Sequence, residues 1–286
     1  MKIRFTIGII GCTLLTLITH NIQQTQAGDF GTTRQPTELP EKIGNNSPSP
    51  ATKVVSATNA KYVHVPFLEW CSTKKSLPAA TQHTVDVLLK EAGTNNCDVA
   101  TSKLKNMIGL DLRSKQISDV RPIASLYTLR ELFLSKNQIS DVKSLAILTK
   151  LETLHLASNQ ISEVKSLAAL TKLETIILDG NKISDVTPLA NLTELIVLGL
   201  NRNQISDVTP LANLTNLNYL LLNRNKISDV TPLATLTKLK YIELQNNKIS
   251  DVKSLATLTK LEDLKLENNK IGDKTCPVKP ASICDF

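Results

Sequence analysis

The side chains of this 286-residue chain that could do chemistry return at a fixed interval. One acidic position recurs every 22 residues, as Asp119, Asp141, Glu163, Asp185, Asp207, Asp229, Asp251 and Asp273. Stacked carboxylates could bind a divalent cation, which prefers hard oxygen ligands. They could equally cap a short helical turn, by accepting the backbone N–H groups that its first residues leave free. Pro188, Pro210 and Pro232 each follow such an aspartate by three residues, where proline suits a first turn. Capping is therefore the expected role, and no metal site is expected. The Cys and His spacing matches no zinc pattern, and no HExxH, GxSxG, Walker A or GxGxxG motif occurs. Of four histidines only His155 lies in the periodic region, and it has no evident nucleophile beside it. No catalytic residue, no cofactor and no enzymatic activity are expected.

The interval itself dictates the elements. Isoleucine recurs at 117, 139, 161, 183, 205, 227, 249 and 271. An asparagine precedes all but the first of these by two residues: Asn137, Asn159, Asn181, Asn203, Asn225, Asn247 and Asn269. Upstream the spacing is Leu-x-x-Leu-x-Leu-x-x-Asn, as in Leu129, Leu132, Leu134, Asn137 and again in Leu217, Leu220, Leu222, Asn225. This is the leucine-rich-repeat pattern. One repeat has a single apolar face and cannot bury it alone, whereas stacked repeats bury a continuous core. The expected fold is an α/β horseshoe solenoid. It has a parallel sheet on the concave side, short helical turns on the convex side and a helical N-terminal cap. Each asparagine is expected to satisfy backbone groups of the neighbouring turn, since an unpaired buried amide costs roughly 1–3 kcal/mol.

The second half of the repeat reads Ile-Ser-Asp-Val-Thr-Pro-Leu-Ala-Asn-Leu-Thr at 183–193 and again at 205–215. It resembles the 22-residue repeat of the bacterial internalin-like family, over about residues 107–273. The flanks, 67–97 and 276–286, resemble the caps of secreted bacterial leucine-rich-repeat proteins. The resemblance implies protein recognition by the concave face. Neither an immunoglobulin-like segment nor an LPxTG-type anchor follows the C-terminal cap, so a host-cell adhesin role is not expected.

Five segments follow. Residues 1–27 read as a signal peptide, with Lys2 and Arg4, an apolar run from Phe5 to Ile18 and a small-residue site at Thr25-Gln26-Ala27. The run is short of the ~20 residues of a membrane span. Ile9-Ile10-Gly11-Cys12 offers lipidation as the alternative. Cleavage at Ala27 removes two positive charges and lowers the formal charge from +7 to +5. Residues 28–62, rich in Thr, Pro, Ser and Asn, read as a disordered linker. Residues 63–106 form the N-terminal cap, with helices expected over 81–92 and 98–106 and Trp70 in its core. The repeats span 107–273, opening on an imperfect copy with Lys115 in place of asparagine. Residues 274–286 close the solenoid. Export leaves Cys71, Cys97, Cys276 and Cys284. Seven or more strands at ~4.8 Å separate the caps, over ~30 Å, and a disulfide needs Cα atoms within roughly 7 Å. The expected pairs are thus Cys71–Cys97 and Cys276–Cys284.

Function is expected on the concave face, where the third, fifth and seventh positions of Leu-x-x-Leu-x-Leu-x point away from the core. Three of the four aromatic residues between 107 and 273 fall there: Phe133, Tyr219 and Tyr241. Ile177, Val197 and Leu221 are expected to be exposed beside them, and Tyr219 and Tyr241 to be neighbours on adjacent strands. The expected anchors are Phe133, His155, Ile177, Val197, Tyr219, Leu221 and Tyr241, with Glu243, Arg202 and Arg224 as polar rim. The partner class is a protein or peptide, or alternatively an envelope polysaccharide. Lysines spread evenly over the repeats, together with export, argue against nucleic acid. Periplasm, cell surface and medium remain open, as does oligomeric state.

Overall fold

Residues 65–286 are described by this computed structural model and lie in one compact unit, Ala57–Phe286. The expected signal peptide, the Cys12 alternative and the linker lie outside the described residues. Within each repeat the middle leucine or isoleucine of the strand points inward and its two neighbours point outward, as period-2 side chains must. The strands are accordingly three residues long: β1 Gly109–Asp111, β2 Glu131–Phe133, β3 Thr153–His155, β4 Thr175–Ile177, β5 Val197–Gly199, β6 Tyr219–Leu221, β7 Tyr241–Glu243 and β8 Asp263–Lys265. They pair in parallel in chain order. Each residue lies beside its equivalent 22 positions on, as Leu132 beside Leu154.

The return path crosses the convex side through 3-10 turns such as Thr187–Leu189 and Thr209–Asn213, with proline in the first turn where expected. The aspartates act just before these turns. Asp185 Oδ1 accepts from Thr187 N at 2.8 Å, and Asp207, Asp229 and Asp251 do the same two residues on. Glu163 has no such bond among those described, and its longer side chain breaks the two-residue geometry. Between sheet and turns, seven positions per repeat are sealed from solvent: Leu129, Leu132, Leu134, Ile139, Val142, Leu145 and Leu148 in one copy. Burying each stabilises by about 1.5–3 kcal/mol, before the opposing chain entropy.

The asparagines join coil to coil. Asn181 Oδ1 accepts from Ile161 N of the preceding coil, and its Nδ2 donates to Leu156 O and Leu178 O at 3.0 and 2.9 Å. The same set recurs from Asn159 to Asn269. The residue before each asparagine takes a left-handed φ, from 54° at Arg224 to 66° at Gly180, which swings the chain out of the strand.

The N-terminal cap contains three α-helices among the described residues: α1 Phe67–Ser72, α2 Ala79–Glu91 and α3 Cys97–Lys105. The last two start and stop within two residues of expectation; α1 was not foreseen, being too short for a periodic signal. Trp70 is half-buried against the core with Arg121 over its ring at 5.9 Å. Lys115 breaks the asparagine pattern because it faces the cap rather than another coil. It pairs with Glu91 at 2.9 Å, and its carbonyl meets His83 Nε2 at 2.7 Å. The C-terminal closure adds a strand that the repeat pattern does not contain, β9 Cys284–Asp285, parallel to β8. Cys71 is bonded to Cys97 and Cys276 to Cys284, one pair in each cap. Among the described residues, no helix is long and apolar enough to cross a membrane.

Candidate functional site

The inner sheet carries two ring systems, each made by the repeat placing equivalent positions on adjacent strands. Tyr219 pairs with Tyr241 in the register, and their rings stack with centroids 4.9 Å apart and planes 4° from parallel. The Tyr241 hydroxyl donates to Glu262 Oε2 at 2.8 Å, and this bond to a carboxylate pushes its pKa up to about 12. Towards the N-terminal end, His155 meets Phe133 edge-on at 4.8 Å, and Arg113 lies 5.6 Å from the Phe133 ring centre. His155 is half-buried rather than a surface histidine, and its enclosed Nε2 has no hydrogen-bond partner. Burial, helped by the nearby Arg113 charge, lowers its pKa to about 4.

Two expected anchors are not on open surface. Ile177 is 7% and Val197 3% exposed. For Ile177 the cause is Gly199, its partner in the register. Glycine leaves a gap on β5 into which Ile177 leans: a Cβ on Gly199 would lie 3.0 Å from Ile177 Cδ1 and 2.9 Å from Asp179 Oδ1. The gap is filled from the neighbouring strand, so the apolar centre is narrower than the stripe pattern implies. Phe133, Tyr219, Leu221 and Tyr241 remain half-exposed.

Beside the rings, a polar groove of about 630 Å³ follows the strand ends, lined among others by Asp179, Asn201, Asn223, Gln245 and Glu267. Asn201 N donates to Asp179 Oδ1 at 2.8 Å, and Asn223 N to Asn201 Oδ1 at 2.7 Å. Glu243 is more than a rim residue. It reaches back across two strands, and its Oε2 accepts from Asn223 Nδ2 at 2.8 Å and Asn201 Nδ2 at 3.3 Å. Arg202 and Arg224 are exposed on the groove's margin, aimed there by their left-handed backbone. Burial pushes the Asp179 carboxyl up to about 7; the Asn201 N–H and the Arg202 charge oppose that rise and the Glu243 charge adds to it. Asp179 was not among the expected site residues. Its signal in the sequence was a carboxylate at the outward seventh position, whose equivalents in the next two repeats are Asn201 and Asn223. Among the described residues no cluster of three or more His, Cys, Asp or Glu could hold a metal ion.

A parallel sheet of 22-residue coils with convex 3-10 turns and a stapled cap at each end defines a leucine-rich-repeat solenoid. The family model for leucine-rich repeats in two copies matches residues 149–191, 193–235 and 237–275. The structure is similar to internalin C2 from Listeria monocytogenes, at 36% identity and a TM-score of 0.65, over 70% of this chain and 89% of that one. It is also similar to an internalin, InlF, from the same organism, at 31% identity and a TM-score of 0.59, over 69% and 67%. A third likeness is to the ectodomain of a membrane receptor kinase from Arabidopsis thaliana, solved in complex with Casparian strip integrity factor 2. There the identity is 28% and the TM-score 0.54, over 59% of this chain and 22% of that one. No curated protein sequence matches. The chain belongs to the leucine-rich-repeat family related to the bacterial internalins.

Proposed function

We propose that the chain is an exported, non-enzymatic binding module whose inner sheet docks a protein or peptide. One observation carries the reading: Tyr219 and Tyr241 stack as a half-exposed pair on a rigid sheet. Tyrosines combine large contact area with a polar tip at low entropy cost, and they concentrate in binding hot spots. Phe133, His155 and Leu221 extend the surface, and Glu243, Arg202 and Arg224 supply polar contacts. Ile177 and Val197, nearly closed off, lie beside it on the same face. Polysaccharide is the weaker alternative, because each stacked ring gives one of its two faces to the other and leaves less for a sugar ring. Family membership supports the reading, as does the receptor ectodomain solved with a bound factor. The two cap disulfides suit an oxidising compartment and support export.

The test is capture from native extracellular and envelope fractions, with the Phe133→Ala/Tyr219→Ala/Tyr241→Ala variant beside the wild type and both folds checked by melting. The wild type should retain a specific protein that the folded variant loses. Equal capture by both, or no protein captured by either, would overturn the reading.

A further inference from the structure

The two flanks of the solenoid are built from one repeat and carry their charges differently. On the flank where the chain enters the strands, cations and carboxylates are mixed. Arg130 pairs there with Glu152, and Lys240 with Glu262, each from one coil to the next. On the flank where the chain leaves the strands, the positions just before and just after each buried asparagine face solvent. Over the coils from Asn137 to Asn269, seven residues at these positions are Lys or Arg and none is Asp or Glu. None carries an aromatic or aliphatic side chain. Lys182, Arg202, Arg224, Lys226, Lys248 and Lys270 are all exposed, and none forms an ion pair with a described residue. Arg202 and Arg224 also border the polar groove and its carboxylates, whereas the lysines stand outside it. Beyond the lysines, every coil from Ser140 to Ser250 presents an exposed serine before the aspartate ladder begins. The lysines of the chain are thus spread over the repeats, but the carboxylates that would balance them are missing from this strip.

Equivalent positions on successive coils lie side by side, roughly 5 Å apart. Lys226, Lys248 and Lys270 therefore make an unbroken row of like charges. The hydrogen bond given for Lys226 Nζ is to Gln204 Oε1, at 3.5 Å. Like charges on neighbouring strands or coils repel. The other flank shows that a glutamate one coil away relieves such repulsion within the same repeat; here that relief must come from outside. We propose that this flank binds a linear anionic polysaccharide, lying along the stack of coils with its acidic groups over the lysine row. The charge selects an anion, and the straight row selects a linear polymer. A protein partner fits less well, because the strip offers no aromatic or aliphatic anchor for the core of an interface. A membrane fits less well, because no apolar side chain is there to enter the headgroup region. Serine hydroxyls and the amides of Gln204, Asn246 and Asn268 give and accept hydrogen bonds, as a hydroxyl-rich chain requires. None of these residues stands on the inner sheet, so the inference does not rest on the inner-face reading and adds a second site to it.

The probe is polygalacturonate, which carries one carboxylate per sugar, titrated calorimetrically into the full chain, with dextran as the neutral comparison. Polygalacturonate should bind and dextran should not, and the affinity should fall at least about tenfold between about 50 and about 200 mM salt. The Lys226→Gln/Lys248→Gln/Lys270→Gln variant should weaken binding at least about tenfold. Lys150→Gln/Lys238→Gln/Lys260→Gln removes the same charge from the other flank and should change affinity by less than about twofold. Melting temperatures show that both variants remain folded. Equal loss in the two variants would overturn the proposal, since it would reduce the effect to net charge. So would equal affinity for dextran, or no binding of polygalacturonate at about 1 mM sugar. Polyglutamate and vesicles containing anionic lipid are the remaining arms, and tighter binding of either through the same three lysines would overturn the polysaccharide in favour of that polyanion. The Phe133→Ala/Tyr219→Ala/Tyr241→Ala variant should bind polygalacturonate as the wild type does. If it loses the polymer, the glycan lies on the inner sheet and the flank proposal falls. If it loses only a captured protein, both sites stand.

Discussion

Asn181 and Asp185 stand four residues apart in one repeat, and each accepts a backbone N–H, at 3.0 and 2.8 Å. By bond length alone the asparagine and aspartate ladders are alike. They differ in what the bonds join and where they lie. Asn181 is 8% exposed; it reaches the preceding coil at Ile161 N and Leu156 O and ties Leu178 O of its own coil. Asp185 is exposed and links only residues of its own turn. Water can replace what Asp185 offers, but it cannot reach Ile161 N, Leu156 O or Leu178 O. Equal periodicity therefore does not mean equal energy.

Swapping the two chemistries breaks the comparison most directly. Asn181→Asp keeps the acceptor but removes the donor to two buried carbonyls and buries a charge. It should destabilise by about 3–5 kcal/mol in denaturant unfolding, and a loss under about 1 kcal/mol would mean that the ladder is not structural. The groove offers an intermediate case. Asp179 is a carboxylate in an enclosed setting, and its carboxyl sits at about 7 in the folded chain, above the ordinary value of 3.8. The folded state therefore holds a proton that the unfolded state has released, and stability contributed by the neutral form is lost as pH rises from about 4 through 7. Asp179→Asn keeps the bond from Asn201 N. Its melting temperature should match wild type below pH 4 and exceed it increasingly up to about pH 7, with a ceiling of about 4 kcal/mol. A constant difference across pH would show that Asp179 ionises freely.

His155 should show the opposite slope. Its pKa, lowered from 6.5 to about 4, means that the unfolded chain binds a proton first. Stability present above about pH 6.5 is lost as pH falls through 4, by up to about 3 kcal/mol. His155→Gln should flatten that acid limb in a pH series of melts, and an unchanged limb would place the loss elsewhere. The smallest effect belongs to the outer ladder. Asp185→Asn retains a side-chain oxygen in the same exposed turn and should move the melting temperature by no more than about a degree.

Most of the solenoid was legible in the sequence because translation by one repeat sets each residue beside its own equivalent. Leu132 beside Leu154 and Tyr219 beside Tyr241 need only a period and a parallel register. Cap-to-cap distance fixed the disulfide pairs in the same way. What escaped lies where the repeat is broken. The short α1 has no period to reveal it, and β9 joins the sheet with an offset of 20 residues rather than 22. On the inner face the missing side chain of Gly199 let Ile177 and Asp179 close over it, which buried one expected anchor and created the enclosed carboxylate.

The sequence by itself determined the coil, its stacking, its two ladders and which residues stand on the inner sheet. Each of these depends on one repeat and its identical neighbour. The tertiary structure alone decided which outward residues stay open, which carboxylates go without a cation and how far Glu243 reaches. These depend on unlike side chains brought together from different repeats, and burial rather than spacing sets their energies.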